Sequence, residues 1–250
     1  MNLRIFVFCF MTTWLGCGES KEKAMMESID EAAKWINQSV QAHGGAAYES
    51  ANLAFDFRER SYTVKHDSGH FIYTSAFKKA GDEYFDRLTN EVFARKINGD
   101  IVELADSNST KYANSLNSVI YFAMLPSKLQ DLAVIKKYRG PISINEKEYH
   151  AIEVRFNEEG GGTDHDDTFF YWINTKTKYI DYLAYDYQVD GGGVRFRKAF
   201  NGRFKEGIYF QDYINYEAPI GTALSSLPVL YQASKLKELS KIELKNIRGL

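Results

Sequence analysis

The densest group of side chains able to perform acid–base or metal chemistry is the run Asp164-His165-Asp166-Asp167. Oxygen-rich sets bind Ca²⁺ or Mg²⁺, and an imidazole with carboxylates can bind Zn²⁺ or Mn²⁺. Because side chains alternate along a strand, His165 and Asp167 would share one face and Asp166 would lie on the other. The candidate metal ligands are therefore His165, Asp166 and Asp167, with further ligands required from elsewhere. The alternative interpretation is a solvated acidic hairpin tip, since Asp tolerates turn geometry well.

Two arginines, Arg195 and Arg197, are spaced so that both would project from one face of a strand. A guanidinium can bind a carboxylate or a phosphate through two parallel hydrogen bonds. If the acidic run adjoins this strand, His165, Asp167 and Arg195 are the catalytic candidates of a metal-assisted hydrolase or lyase. The same arginines are equally suited to structural ion pairs with nearby aspartates.

Two glycine triplets, Gly160–Gly162 and Gly191–Gly193, adjoin predicted strands. Neither has the Lys-Ser/Thr pair or the following helix that a phosphate-binding loop requires. They therefore predict bulges or bends at the rim of a sheet.

Aromatic residues make up 15% of the chain, and they favour the half-buried surface of a pleated sheet. Rings fall on both faces of three predicted strands, over residues 169–172, 179–187 and 209–216. One face must be core, and the other either lines a hollow that binds a ligand or is covered by helices. The candidate ligand-binding residues are His43, Arg195, Arg197, Tyr171 and Tyr185. His43 lies at the end of the first predicted helix, so the alternative for it is a structural role in which it interacts favourably with the helix dipole.

The first 16 residues have the features of a signal peptide. Arg4 precedes the apolar run Ile5–Met11, which is shorter than the about 20 apolar residues that a membrane-spanning helix needs. The segment ends at Gly16-Cys17, which resembles the lipobox of bacterial lipoproteins, with Trp14 at a position where Leu is usual. We therefore predict a cleaved signal peptide over residues 1–16, lipidation at Cys17 and a charged tether over residues 17–27.

Cys9 and Cys17 are the two cysteines of the chain, so the predicted folded body contains none. This excludes a disulfide framework, a thiolate zinc site and a cysteine nucleophile from that body. The formal net charge is −2, and basic residues are interleaved with acidic ones, which argues against a nucleic-acid partner. The expected partners are a membrane, through the lipid anchor, and a hydrophobic ligand or an envelope protein.

The elements that would position these residues are mostly strands. Period-two alternation and turn signals such as Asp67-Ser68-Gly69 and Asn98-Gly99 indicate roughly ten antiparallel strands, the last over residues 241–247. Helical spacing predicts a helix from Ser28 to Gly44, and further helical segments over residues 110–125, 128–134 and 224–230. Together these features predict one mainly β (α+β) domain over residues 28–250. It would be a curved antiparallel sheet, or half-open β-barrel, with a few covering helices.

Four segments carry a family resemblance: His43–Gly45, Tyr112–Ser115, Glu159–Asp167 and Val189–Arg197. Together they resemble the DUF6503 family of Bacteroidetes envelope lipoproteins, over almost all of the predicted mature chain. The resemblance implies an architecture similar to that of the lipoprotein carriers LolA and LolB, an open and strongly curved antiparallel sheet whose hollow is covered by helices. It implies no particular activity, since fold does not determine function.

The sequence therefore favours a non-catalytic, lipid-anchored protein of the cell envelope, with the outer membrane as its expected location. Such a protein would bind an apolar or amphipathic ligand, or a partner, in its curved sheet. The alternative is the metal-assisted hydrolase or lyase described above, with a divalent metal as its possible cofactor.

Overall fold

Tight turns between short alternating strands build the first of two antiparallel sheets. The computed structural model describes residues 17–157, 167–188 and 191–250. The first sheet consists of Asn52–Phe57 (β1), Arg60–Asp67 (β2), His70–Lys79 (β3), Asp82–Thr89 (β4), Phe93–Ile97 (β5), Asp100–Val102 (β6) and Leu244–Gly249 (β14), in the order β14-β1-β2-β3-β4-β5-β6. Both predicted hairpin turns are confirmed. Ser68-Gly69 and Asn98-Gly99 each have two successive positive φ angles, as a tight two-residue turn requires.

A second antiparallel sheet also has seven strands. They are Val134–Ile144 (β7), Lys147–Phe156 (β8), Phe169–Asn174 (β9), Ile180–Tyr187 (β10), Gly193–Lys205 (β11), Ile208–Ala218 (β12) and Lys237–Ile242 (β13), in the order β13-β12-β11-β10-β9-β8-β7. The mainly β class predicted from the sequence is confirmed. The predicted number of strands is too low, because turns such as Arg58-Glu59 between β1 and β2 leave little break in the alternation.

The two sheets meet where the chain passes from β13 to β14. The sequence predicts one strand over residues 241–247, which is wrong, because the strand is divided at Glu243. β13 pairs with β12, whereas β14 pairs with β1. The Leu244 amide donates to Asp212 Oδ1 at 2.9 Å, and the Leu244 carbonyl accepts from Arg203 at 2.6 Å. Side chains of the second sheet thus fix the first residue of β14.

Helix α1 (Cys17–His43) packs against β7 at the outer edge of the second sheet. Its buried residues recur every three or four positions, a spacing that places them on one face: Ala32, Trp35, Ile36, Ser39, Val40 and His43. The predicted helix start at Ser28 is wrong, because the helix already includes the residues assigned to a tether. Glu, Lys, Ala and Met in this segment are good helix formers, and no proline interrupts them.

Ser28 contacts the edge of the sheet instead of capping the helix. Its hydroxyl accepts a hydrogen bond from the Tyr138 amide at 3.1 Å and lies 3.3 Å from the Tyr138 carbonyl, to which it donates. Tyr138 belongs to β7, which is the last strand of its sheet in the described part of the chain. One side chain therefore satisfies both main-chain groups of an edge residue.

Helix α2 (Asp106–Ala123) lies in the hollow between the two sheets and contacts β3, β4 and β5. Its Leu116 and Ile120 belong to a core cluster that includes residues of both sheets. The helical turn predicted over residues 128–134 is shorter than expected: a 3-10 turn covers Ser127–Gln130, and β7 begins at Val134. None of the described helices combines the length and apolar content needed to cross a membrane.

Both faces of the central strands of the second sheet are buried. On β9, Tyr171 faces the hollow and Trp172 faces outward, and each is at most 1% exposed. The outer rings are covered by the short helix α3 (Leu227–Gln232) and the 3-10 turn before it. The prediction of rings on both faces is confirmed, and the outward face is covered by helical segments.

Candidate functional site

The predicted acidic cluster lies mostly outside the described residues. This applies to Asp164, His165 and Asp166, whereas Asp167 is described and is 9% exposed, just before β9. Within residues 17–157, 167–188 and 191–250, no group of three or more His, Cys, Asp or Glu side chains is placed to hold a metal ion. The metal-assisted chemistry therefore stays a prediction.

Arg197 lies in a row of side chains that crosses the second sheet and faces the hollow. The strand register places Leu183 of β10, Arg197 of β11, Asn215 of β12 and Ser240 of β13 side by side. Alternation fixes this arrangement, because a shift of one residue would turn the whole row outward. The row presents a guanidinium, an amide and a hydroxyl to the space beside α2.

The guanidinium of Arg197 is buried without an acidic partner. The residue is 8% exposed, and its Nη2 donates to the Tyr185 hydroxyl at 2.7 Å. Its guanidinium carbon lies 4.0 Å from the centroid of the Phe122 ring, in a cation–π contact. Its Nε is buried and has no hydrogen-bond partner among the described residues, and the side chain forms no ion pair with any described carboxylate. A buried charge with so few compensating groups is energetically costly.

A cavity of about 260 Å³ opens beside this guanidinium, and we call it the Arg197 cavity. Its apolar wall consists of Phe57, Val119, Phe122, Ile242 and Leu244, and its polar wall includes Ser118, Gln211, Tyr213 and Asn215. The Asn215 Oδ1 atom is buried and has no partner among the described residues. The cavity therefore combines an apolar surface with polar groups whose hydrogen bonds are incomplete.

A second cavity, of about 220 Å³, lies on the other side of Phe122 and shares Phe122 and Ser118 with the Arg197 cavity. Its wall is rich in rings, from Tyr121, Phe156 and Phe169. Phe122 therefore contributes to the walls of both spaces.

Two tyrosines near the cavity, Tyr213 and Tyr171, are neutral hydrogen-bonding groups. Burial raises the pKa of Tyr213 to about 12, and burial also raises the pKa of Tyr171 well above its ordinary value. Tyr171 lies in the core, where its hydroxyl is 2.6 Å from that of Tyr121 on α2. Of the predicted ligand-binding tyrosines, Tyr185 lines the Arg197 cavity. Tyr171 does not line it and contacts α2 through the Tyr121 hydroxyl.

Arg195 shares the face of Arg197, as its spacing predicts, but lies nearer the start of β11. Its Nη2 donates to the Tyr187 hydroxyl at 2.6 Å, and the residue is only partly buried. Arg195 does not line the Arg197 cavity. The two arginines therefore occupy different environments on one strand.

His43 lies near the other end of β12, away from the Arg197 cavity. Its Nδ1 is 2.8 Å from the Ser39 carbonyl, and its ring contacts Tyr179 and Tyr209 edge-on. Burial lowers the pKa of His43 to about 4, against the raising effect of the Ser39 hydrogen bond. The neutral ring therefore closes the last turn of α1 through a hydrogen bond rather than through a positive charge.

Several cavity residues are absent from the sequence-based candidates, notably Phe122, Gln211 and Asn215. Gln211 and Asn215 lie four residues apart on β12, a strand that contains many buried residues. Polar side chains on the buried face of a strand require partners, and this signal could have identified them. Phe122 offers no such signal, because an aromatic residue on a helix is ordinary core.

Comparison with solved structures places the architecture among known folds. The structure of a DUF1329 family protein from Desulfovibrio piger aligns with a TM-score of 0.52 at 12% identity, covering 89% of this chain and 93% of that one. A LolA superfamily protein from Nitrosomonas europaea aligns with a TM-score of 0.50 at 10% identity, covering 88% and 93%. At such low identities the likeness concerns the fold, and it agrees with the architecture expected from the sequence.

Sequence comparison identifies the family. No curated protein matches the chain significantly. Residues 3–244 match the sequence profile of DUF6503, which is described as a family of unknown function. The match spans nearly the whole chain, and the chain belongs to the DUF6503 family.

Proposed function

We propose that this protein is a non-catalytic, lipid-anchored component of the cell envelope that binds an amphipathic acid, such as a fatty acid, in the Arg197 cavity. The observation that supports this most directly is the buried Arg197 guanidinium, which has no carboxylate partner among the described residues. A bound acid would supply the missing charge through charge-assisted hydrogen bonds, and the apolar wall would contact its chain.

The dimensions of the hollow favour a chain that extends past Phe122. The Arg197 cavity has a volume of about 260 Å³, whereas typical small-molecule sites occupy roughly 300–1,000 Å³. A chain held at its acidic end by Arg197 would displace the Phe122 ring and enter the second cavity, among Tyr121, Phe156 and Phe169. In this arrangement α2 covers the ligand and supplies the side chain that moves.

We expect Arg197→Gln to weaken the binding of cis-parinaric acid, a fluorescent fatty acid, by about thirtyfold, because a hydrogen bond to a charged group is worth about 2 kcal/mol. The methyl ester of the same acid lacks the charge, so Arg197→Gln and the wild type should bind this ester with affinities that agree within about twofold. Fluorescence titration of the purified full chain measures both affinities, and thermal unfolding checks that the variant is folded.

Lys198→Gln is the matched control, because Lys198 follows Arg197 on β11 and points to the opposite face. It should bind both probes as the wild type does. Equal loss of acid and ester in Arg197→Gln, or no loss of either, would contradict the proposed site. Acyl chains extracted from the purified wild-type protein and identified by mass spectrometry would identify the natural ligand class.

The proposed anchor predicts that Cys17 carries fatty acyl chains that hold the protein to a membrane, for which we expect the outer membrane. Several acyl chains bind a bilayer firmly, at about 0.8 kcal/mol for each buried CH₂ group. Cells that express the chain and are fed labelled palmitate should label the wild type and Cys9→Ser, but not Cys17→Ser. Label that persists on Cys17→Ser, or a mature product that retains residues 1–16, would show that the anchor is wrong.

A further inference from the structure

A third cavity lies between the inner face of the first sheet and the first half of α2. Its volume is about 270 Å³, and it shares no lining residue with the Arg197 cavity. Its charged lining residues are Arg60, Lys79, Asp86, Arg95 and Lys111. We call it the Arg60 cavity.

The single carboxylate of this cavity is already paired. Asp86 accepts from Arg95 Nε at 2.6 Å and from Arg95 Nη2 at 2.8 Å, and the side chains are 2% and 8% exposed. Ser75 donates a further hydrogen bond to the same carboxylate at 3.3 Å. Asp86 and Arg95 therefore cancel each other's charge, and Asp86 has little capacity left for a second cation.

The remaining cations have no acidic partner in the part of the chain that the structure describes. The Arg60 guanidinium lies 3.7 Å from the centroid of the Phe77 ring, a cation–π contact that orients it without neutralising it. Lys79 and Lys111 are exposed at the rim, and neither forms an ion pair with a described carboxylate. Four cationic side chains against one carboxylate leave a net formal charge of +3 in the wall.

We propose that the Arg60 cavity binds a phosphoryl group, carried either by a small soluble phosphate ester or by a phospholipid headgroup. A dianion suits a wall with a net charge of +3, and a guanidinium binds phosphate oxygens through two parallel hydrogen bonds. Low-dielectric walls focus the field of the rim lysines onto the cavity and attract an anion to it. The aromatic rings of Phe77, Tyr84 and Tyr112 line the same space and would contact the ester carbons.

The test is calorimetric titration of the purified full chain at low ionic strength, where exposed lysines are least screened. The probes are glycerol phosphate for the soluble source and a short-chain phosphatidic acid for the lipid source, with glycerol as the uncharged control. We expect saturable binding that Arg60→Gln weakens about tenfold and Lys111→Gln weakens about threefold. Arg87→Gln is the matched control, because Arg87 follows Asp86 on β4 and is exposed on the opposite face, and it should leave the affinity unchanged.

The outcomes separate the two sources and the two sites. If both probes bind, a soluble phosphate ester is sufficient for binding. If only the phosphatidic acid binds, the ligand is a lipid headgroup. Either result supports the proposal if Arg60→Gln weakens the binding. Absence of binding by both probes, or binding that a folded Arg60→Gln variant leaves unchanged, overturns it. Arg197→Gln should leave the affinity for glycerol phosphate unchanged, because that probe has no acyl chain for the Arg197 cavity. Either of the two proposed sites can therefore fail while the other stands.

Discussion

Replacing Asp212 with alanine is expected to lower the free energy of unfolding by about 3–5 kcal/mol, because it removes a buried carboxylate that accepts three hydrogen bonds. The Asp212 side chain is 2% exposed and accepts from Arg203 at 3.1 Å, from Asn201 at 2.6 Å and from the Leu244 amide at 2.9 Å. Alanine would leave the Leu244 amide without its acceptor and the Arg203 guanidinium without its acidic partner, although Arg203 would keep the carbonyls of Asn201 and Leu244. Urea denaturation of both proteins measures the difference.

The position of this carboxylate makes the effect structural as well as energetic. The Leu244 amide begins β14, so its hydrogen bond to Asp212 holds the first sheet to the second. Hydrogen exchange at Leu244 should therefore accelerate in Asp212→Ala, more than exchange in β3. Asp212→Asn keeps an acceptor oxygen and should lose less stability. A loss below about 1 kcal/mol in Asp212→Ala would show that the network is not needed for stability.

Breaking the Asp86–Arg95 pair from either side should also cost about 3–5 kcal/mol, because each substitution leaves one buried charge uncompensated. The double variant Asp86→Leu with Arg95→Met removes both charges, so its loss should be far smaller than the sum of the two single losses. A double-mutant cycle from urea denaturation gives the coupling energy, for which we expect at least about 2 kcal/mol.

The same pair of strands provides a matched control for this cycle. Lys78 and Glu83 form an ion pair at 2.7 Å between β3 and β4, with side chains that are 77% and 66% exposed. Its coupling energy should be at most about 1 kcal/mol, because exposed pairs are solvated and screened. Equal coupling energies for the two pairs would mean that burial does not strengthen the Asp86–Arg95 interaction.

The parts of the fold that the sequence predicts are those set by local patterns. Asn98-Gly99 and Ser68-Gly69 identify their hairpins because few residues adopt positive φ, and alternation identifies the strands around them. The start of α1 and the division of the last strand at Glu243 are not determined by a local sequence pattern. The helix continues through residues with no break signal, and the last strand divides because Asp212 and Arg203, distant in sequence, hold Leu244.

The same distinction applies to the candidate sites. Arg195 and Arg197 can be predicted to share a face, because they are two residues apart on one strand. The structure confirms this arrangement. Arg60, Asp86 and Arg95 lie in three different strands and come together through the register of the first sheet and the position of α2. No sequence window contains them, so no spacing argument could have found that cavity.

The hydrogen bonds between Ser28 and Tyr138 bear on self-association. A long outer strand with free amides and carbonyls is a template on which a second molecule can add a strand, and repeated addition leads to fibrils. β7 has eleven residues and exposes Ile135, but α1 packs against it and occupies part of its main chain. A chain trimmed of this helix would leave those main-chain groups of β7 open to a second molecule, so we expect α1 to limit self-association.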